Sequence, residues 1–185
     1  NNWGGTPYDD IMALTDAAVA TGEADGNNAC AAGASYGGYM VNWINGHTKR
    51  FKCLVNHAGK FNLEVGYYDT EELWFPEWEF GVPWENKERY AKWSPHTYVA
   101  EWSTPTLVSH GEKDYRVTVG QGYSTYTALQ RRGVKSRLML FRDEGHWILK
   151  PKNAKIFHET VLGWIGEHLG GASARTAPAA AQNPH

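Results

Sequence analysis

Behind Thr6 and Pro7 the chain repeats apolar residues at helical spacing, Ile11, Leu14 and Ala18, with Asp9 and Asp10 near the start. Thr6 is expected to cap, proline suits a first turn, and acidic residues favour the positive end of the helix dipole. The pattern therefore predicts a helix from about Pro7 to Ala20. Residues Gly22 to Asn28 break it. A short apolar run, Ala29 to Gly33, predicts a strand that enters Gly33-Ala34-Ser35-Tyr36-Gly37-Gly38, and helical spacing resumes from Tyr36 to about Ile44. Phe51 to His57 reads as a second, buried strand, followed from Phe61 to Trp102 by an aromatic-rich stretch without clean period, expected to be loops and short helices. Thr106 to Ser109, ended by His110 and Gly111, predicts a third strand, Val119 to Arg132 a helix closed by Gly133, and Ser136 to Phe141 a fourth strand. From Asn153 to Leu169 a last helix gathers Ile156, Phe157, Thr160, Val161, Trp164, Ile165 and Leu169 on one face. The Ala-rich tail, residues 170–185, has no core-forming residue and is expected to be disordered, leaving residues 1–169 as one domain.

Strands alternating with helices predict an α/β fold with a mainly parallel sheet covered on both faces, and sites in such sheets lie beyond the carboxyl ends of the strands. No internal repeat points to a solenoid or propeller. Hydrophobic residues make up 42% and charged residues 21% of the 185, and 9 Trp, 10 Tyr and 6 Phe bring far more apolar area than a disordered chain carries. With 18 basic against 20 acidic residues the net charge is −2, so no broad positive field collects nucleic acid or an anionic membrane. No apolar run reaches the roughly 18 residues of a membrane-crossing helix. Cys30 and Cys53 are too few for a disulfide scaffold and lack metal-ligand spacing, which leaves the redox compartment open. Neither H-E-x-x-H nor a cluster of His and carboxylate ligands occurs, so no metal or other cofactor is expected.

The pattern Gly33-x-Ser35-x-Gly37 follows a strand and opens a helix. Glycines on either side let neighbouring backbone pass close, so the serine hydroxyl projects above the sheet edge and the Tyr36 amide can face a developing oxyanion. The plainer reading is a Gly-rich connection with an idle serine. A serine becomes a nucleophile only when a base takes its proton and a carboxylate orients that base. Of eight histidines, His47, His57, His96, His110, His158, His168 and His185 each read as surface or packed residues. His146 differs: it follows the fourth strand through Arg142-Asp143-Glu144-Gly145, at the carboxyl end where Ser35 also belongs. Asp114 follows the third strand through His110-Gly111-Glu112-Lys113, with Glu112 and Asp143 as competing carboxylates. Ser35, Asp114, His146 is the nucleophile, acid, base order of α/β-hydrolases.

The segments GASYGGYMVNWI, SPHTYVAEWSTPTLVSHGEKDYRV and QRRGVKSRLMLFRDEGHWILKP resemble the catalytic domain of the prolyl oligopeptidase family of serine peptidases, nearest its fungal dipeptidyl peptidase V branch, with acylaminoacyl-peptidase relatives behind. The resemblance runs from Trp3 to about Trp164. It implies an α/β-hydrolase fold with Ser35 as nucleophile, Asp114 as orienting acid and His146 as general base. Tyr36 would give its backbone amide to the oxyanion hole and its ring to the pocket for the residue before the scissile bond. Tyr67, Tyr68 and Trp74 of the aromatic stretch would wall that pocket, although rings in such numbers can equally pack the sheet. Two positions depart from the pattern: Gly145, where relatives often carry Asn, and Lys60, where they tend to be apolar.

The resemblance also implies that a second oxyanion donor, the first strands of the sheet and, further upstream, a β-propeller that filters substrates precede WGGTPYDD. The chain is then expected to be the C-terminal part of the catalytic domain, with about four strands and the N-terminal strands absent. The strand before Ser35 would have an unpaired edge, an aggregation hazard. The expected activity is peptide hydrolysis through an acyl-enzyme, of dipeptidyl peptidase V type. Acylaminoacyl-peptidase or esterase activity on the same fold is the alternative, and a non-catalytic peptide-binding module the second. Such modules usually lose a triad residue, and here all three remain. Resemblance to the fungal branch suggests secretion, with a cytoplasmic location as the alternative.

Overall fold

A computed structural model describes residues 2–170. The predicted tail lies outside the described residues except for Gly170. Helix α1 spans Thr6–Ala20 with Pro7 in its first turn. Thr6 does not cap it: Gly5 holds the cap position, and the Thr6 hydroxyl accepts a hydrogen bond from Asn2 Nδ2 at 2.7 Å from inside the helix. The packing face is also shifted from the expected one. Tyr8, Ile11 and Met12 lie against the core, while Leu14 and Ala18 are exposed.

Four strands, β1 (Cys30–Ala34), β2 (Cys53–His57), β3 (Thr106–Gly111) and β4 (Ser136–Phe141), form one wholly parallel sheet in the order β1-β2-β3-β4. Helices α2 (Tyr36–His47) and α6 (Val119–Arg131) lie in the β1–β2 and β3–β4 crossovers, and α7 (Pro151–His168) follows β4 and packs on the sheet. Between β2 and β3 run α3 (Leu63–Tyr68), α4 (Trp74–Phe80), α5 (Lys87–Trp93) and a 3₁₀ helix (Pro95–Glu101), the short elements foreseen for the aromatic stretch.

Helix α2 buries every residue from Gly38 to Asn45. Its Tyr39, Met40 and Trp43 join Leu54 of β2 and Trp3, Phe80 and Tyr90 in the largest core cluster. Gly38 is what permits this approach, since a Cβ there would stand 2.7 Å from both the Gly59 Cα and the His57 carbonyl oxygen. A second cluster sets Val161, Trp164 and Ile165 of α7 against Val55 and Leu107. Ile156, assigned to this face from its spacing, is instead 43% exposed. The interior strands β2 and β3 are buried at every residue, whereas β1 alternates between partly buried and exposed positions. Cys30 and Cys53 are register partners at the start of β1 and β2, their Cα atoms 4.7 Å apart, and they form a disulfide. Among the described residues no helix is long and apolar enough to cross a membrane.

Candidate active site

Ser35 sits between the end of β1 and the start of α2 with φ 58° and ψ −117°. A positive φ is costly for a residue with a Cβ and persists only where the surroundings enforce it. Here the Ser35 amide donates to the His57 carbonyl at 2.9 Å and the Ser35 carbonyl accepts from the Tyr39 amide at 2.9 Å. Gly33 admits the turn, because a Cβ on it would meet the Gly37 carbonyl oxygen at 2.2 Å. Tyr36 is the first residue of α2, so its amide belongs to the helix-start N–H groups that have no partner within the helix.

Asp114 lies in the turn after β3 and is buried. One carboxylate oxygen, Oδ1, accepts the amides of Arg116 at 3.0 Å and Val117 at 2.9 Å. The other, Oδ2, lies 2.8 Å from His146 Nδ1 and 3.5 Å from His110 Nε2. Burial alone would raise the Asp114 pKa, but hydrogen bonding from His110, His146 and the Val117 amide outweighs it and holds the carboxyl far below the usual range. An ionised carboxylate only accepts, so the hydrogen between the two groups is carried by His146 Nδ1.

The loop that presents His146 is tied down by Glu144, a buried carboxylate that accepts the amides of Leu149 at 3.2 Å and Lys150 at 3.0 Å and the Asn153 side chain at 2.7 Å. Of the competing carboxylates, Asp143 is committed to Lys150 at 2.5 Å and Asn153 at 3.0 Å, and Glu112 makes no hydrogen bond to His146. The structure thus brings Asp114 and His146 into contact beyond the carboxyl ends of β3 and β4 and places Ser35 beyond the carboxyl end of β1.

Sequence reasoning passed over His57. It is buried at the end of β2, its Nε2 donates to the His146 carbonyl at 3.2 Å, and its Nδ1 faces the Ser109 hydroxyl at 3.1 Å. Burial lowers its pKa, although the bond to His146 and the field of Asp114 act the other way. The ring is therefore neutral, with its proton on Nε2 and the serine donating to Nδ1. Among the other histidines, His47 stacks on Trp43, His96 lies against Phe61 and His168 bonds the Trp164 carbonyl. His185 lies outside the described residues.

Beside Ser35 opens a pocket of about 200 Å³. Trp3, Tyr36, Phe75 and Val117 give it an apolar wall, and Lys60, Thr70, Glu72 and Arg116 a polar one. The Tyr36 ring is fixed by its hydroxyl, which donates to the Trp3 carbonyl at 2.6 Å. Tyr67 and Trp74, expected to line this pocket, do not. Tyr67 is buried with its hydroxyl on Glu77 at 2.8 Å and its ring against Trp84 and Tyr90. Trp74 is 61% exposed on α4, and the adjacent Phe75 takes the inward place. Tyr68 is also exposed. A wider depression of about 650 Å³, lined by residues such as Asn27, Lys49, Arg50 and Lys52, contains none of the candidate residues. Among the described residues no group of three or more His, Cys, Asp or Glu side chains could hold a metal ion.

Comparison with known proteins identifies the family of the chain. The prolyl oligopeptidase family model (Peptidase_S9) matches residues 1–172. The chain is 46% identical over 168 residues to Dipeptidyl-peptidase 5 of Schizosaccharomyces pombe, covering 89% of this chain and 25% of the relative. It is 42% identical over 174 residues to Dipeptidyl-peptidase 5 of Porphyromonas gingivalis, covering 91% and 25%. Among solved structures, the acylaminoacyl peptidase of Pyrococcus horikoshii superposes with a TM-score of 0.86 at 25% identity, over 94% of this chain and 30% of that one. The chain spans about a quarter of the length of the curated relatives it matches. With a parallel sheet of this order, a serine turn at its edge and a family match over almost the whole sequence, the chain belongs to the prolyl oligopeptidase family of serine peptidases, on an α/β-hydrolase fold.

Proposed function

We propose that this chain supplies the nucleophile, base and acid of a serine-type exopeptidase that releases dipeptides from peptide substrates. The observation that carries the reading is the Asp114–His146 contact, 2.8 Å, together with the strained Ser35 turn, both segments being bonded to His57. Ser35 Oγ attacks the scissile carbonyl while His146 Nε2 takes its proton. The Tyr36 amide donates to the oxyanion, and Asp114 stabilises the imidazolium. His146 then protonates the leaving amine, and water hydrolyses the acyl-enzyme by the same relay. The peptide is the substrate partner, and a β-propeller and the remaining sheet strands are the expected companions in the full-length protein. The Cys30–Cys53 disulfide supports a place outside the reducing cytosol, such as secretion.

The test is a fluorophosphonate probe on the full-length protein. Ser35 is expected to be the labelled residue, with label and peptide hydrolysis both lost in Ser35→Ala. Full-length protein that hydrolyses peptides but takes no label at Ser35 would sink the mechanism. The similarity to an acylaminoacyl peptidase structure favours a second reading, release of N-acylated residues. Matched peptides with free and acetylated N-termini separate the two.

A further inference from the structure

The pocket beside Ser35 carries an unbalanced charge. Two cations, Lys60 and Arg116, and one carboxylate, Glu72, stand in its wall. Arg116 and Glu72 pair with each other at 3.1 Å. Lys60 has no such companion: it is 7% exposed, yet among the described residues its ammonium makes no ion pair and no hydrogen bond. The carboxylates whose field it feels, Asp69, Glu72 and Asp114, are engaged elsewhere, by the Thr118 hydroxyl, by Arg116 and by His146.

The lysine is also held in place. Its carbonyl accepts from Asn42 Nδ2 at 3.2 Å, and the next amide, Phe61, donates to Gln121 Oε1 at 2.8 Å. Gly66 of α3 closes over the amine, leaving 3.4 Å between Nζ and any Cβ added there. A buried cation without a partner is costly. Burial accordingly pulls the Lys60 pKa below that of an ordinary lysine, with the three carboxylates drawing it part of the way back. An incoming carboxylate would relieve that cost. At about 200 Å³ the cavity is smaller than the roughly 300–1,000 Å³ of sites for drug-sized ligands, and it suits a single side chain.

We infer that this pocket selects an acidic side chain, Glu or Asp, at the residue whose carbonyl Ser35 attacks, with Lys60 pairing its carboxylate while Trp3, Tyr36 and Phe75 pack its methylenes. The inference rests on the serine peptidase reading above.

Full-length protein is assayed on peptides that differ only at the residue before the scissile bond, Glu, Gln, Asp, Asn or Leu. Glu is expected to exceed its neutral isostere Gln in kcat/KM by about 10- to 100-fold, the range of one hydrogen bond to a charged group. Lys60→Met is expected to erase that preference, bringing the kcat/KM for Glu down to that for Gln. Hydrolysis of Gln and Leu peptides at or above the rate for Glu overturns the inference, and this comparison needs only the unmodified protein should the variant fail to fold. Fluorophosphonate labelling separates the two failures: Ser35 labelled with no acidic preference removes this inference alone, while Ser35 unlabelled and no peptide cut removes the function as well.

Discussion

His57 holds the two halves of the site in register. Its carbonyl receives the Ser35 amide, and its ring donates to the carbonyl of His146, 89 positions along the chain. In the proposed mechanism neither bond involves the reacting atoms, which gives His57 the place of a positioning residue. His57→Ala is expected to lower kcat by up to about 100-fold through misplacement of His146, with a smaller effect on KM. Glutamine retains an N–H donor, so His57→Gln should recover much of the loss, which a purely space-filling role would not show. Stability carries a second signature. The His57 pKa is lowered in the folded state, so below about pH 6.5 the unfolded chain takes up a proton that the native ring refuses. Its contribution is complete above that pH and lost as pH falls through the window down to the folded pKa. Thermal midpoints measured from pH 7 to pH 5 should fall less steeply in His57→Gln, the remaining slope including His96, whose pKa burial also lowers. Ser35, Asp114 and His146 could be picked out as candidates from the sequence because each stands just beyond a strand with its own local signal. His57 was visible only as the end of an apolar run, since its partner is a loop that folds back from the far side of β4.

At the scale of elements, regularity decided what could be read. The strands and the helices α2, α6 and α7 carry their periods on the surface of the sequence, and all were located to within a few residues. The stretch holding α3, α4 and α5 has short helices of six or seven residues, too brief to show a period. Which of its rings faces Ser35 depends on how those helices pack, hence the exchange of Trp74 for Phe75. The cysteine pair posed the same problem: spacing alone did not join Cys30 to Cys53, whereas parallel register between β1 and β2 sets them opposite each other. The bond closes a loop with a sequence separation of 23, for which the chain-entropy model gives about 3 kcal/mol of stabilisation. That loop contains the Ser35 turn and the whole of α2, so it braces the segment that holds Ser35. Reductant is expected to lower the thermal midpoint of the protein, and a Cys30→Ala, Cys53→Ala double variant to sit at the lower midpoint with no response to reductant. Equal midpoints in the oxidised and reduced protein would show that packing of α2 already holds the loop.

For the whole molecule, the sheet's two margins, β1 and β4, each pair on one side only among the described residues, and they differ in sequence, β4 carrying Arg137 and β1 no charge. β4 pairs with β3 along its full length and ends in the loop that carries His146. β1 pairs with β2 on one side, and among the described residues no strand occupies the other. Its sequence, Cys-Ala-Ala-Gly-Ala, has neither a charge nor a proline, and Ala32 and Ala34 are exposed. These are the conditions under which an edge recruits another strand, and a net charge of −2 offers little repulsion between copies. The 185-residue chain by itself is therefore expected to form concentration-dependent assemblies through β1. In the full-length protein the proposed additional strands would occupy that edge and suppress them. Ala32→Lys places a charge on the exposed face of the edge and should shift the isolated chain toward monomer without touching Ser35, Asp114 or His146. Light scattering across a concentration series distinguishes the cases. If the unmodified chain stays monomeric throughout, the β1 edge is closed by something other than a strand; if Ala32→Lys assembles as readily as the parent, association runs through a different surface, such as the exposed Leu14 of α1 or Leu162 of α7.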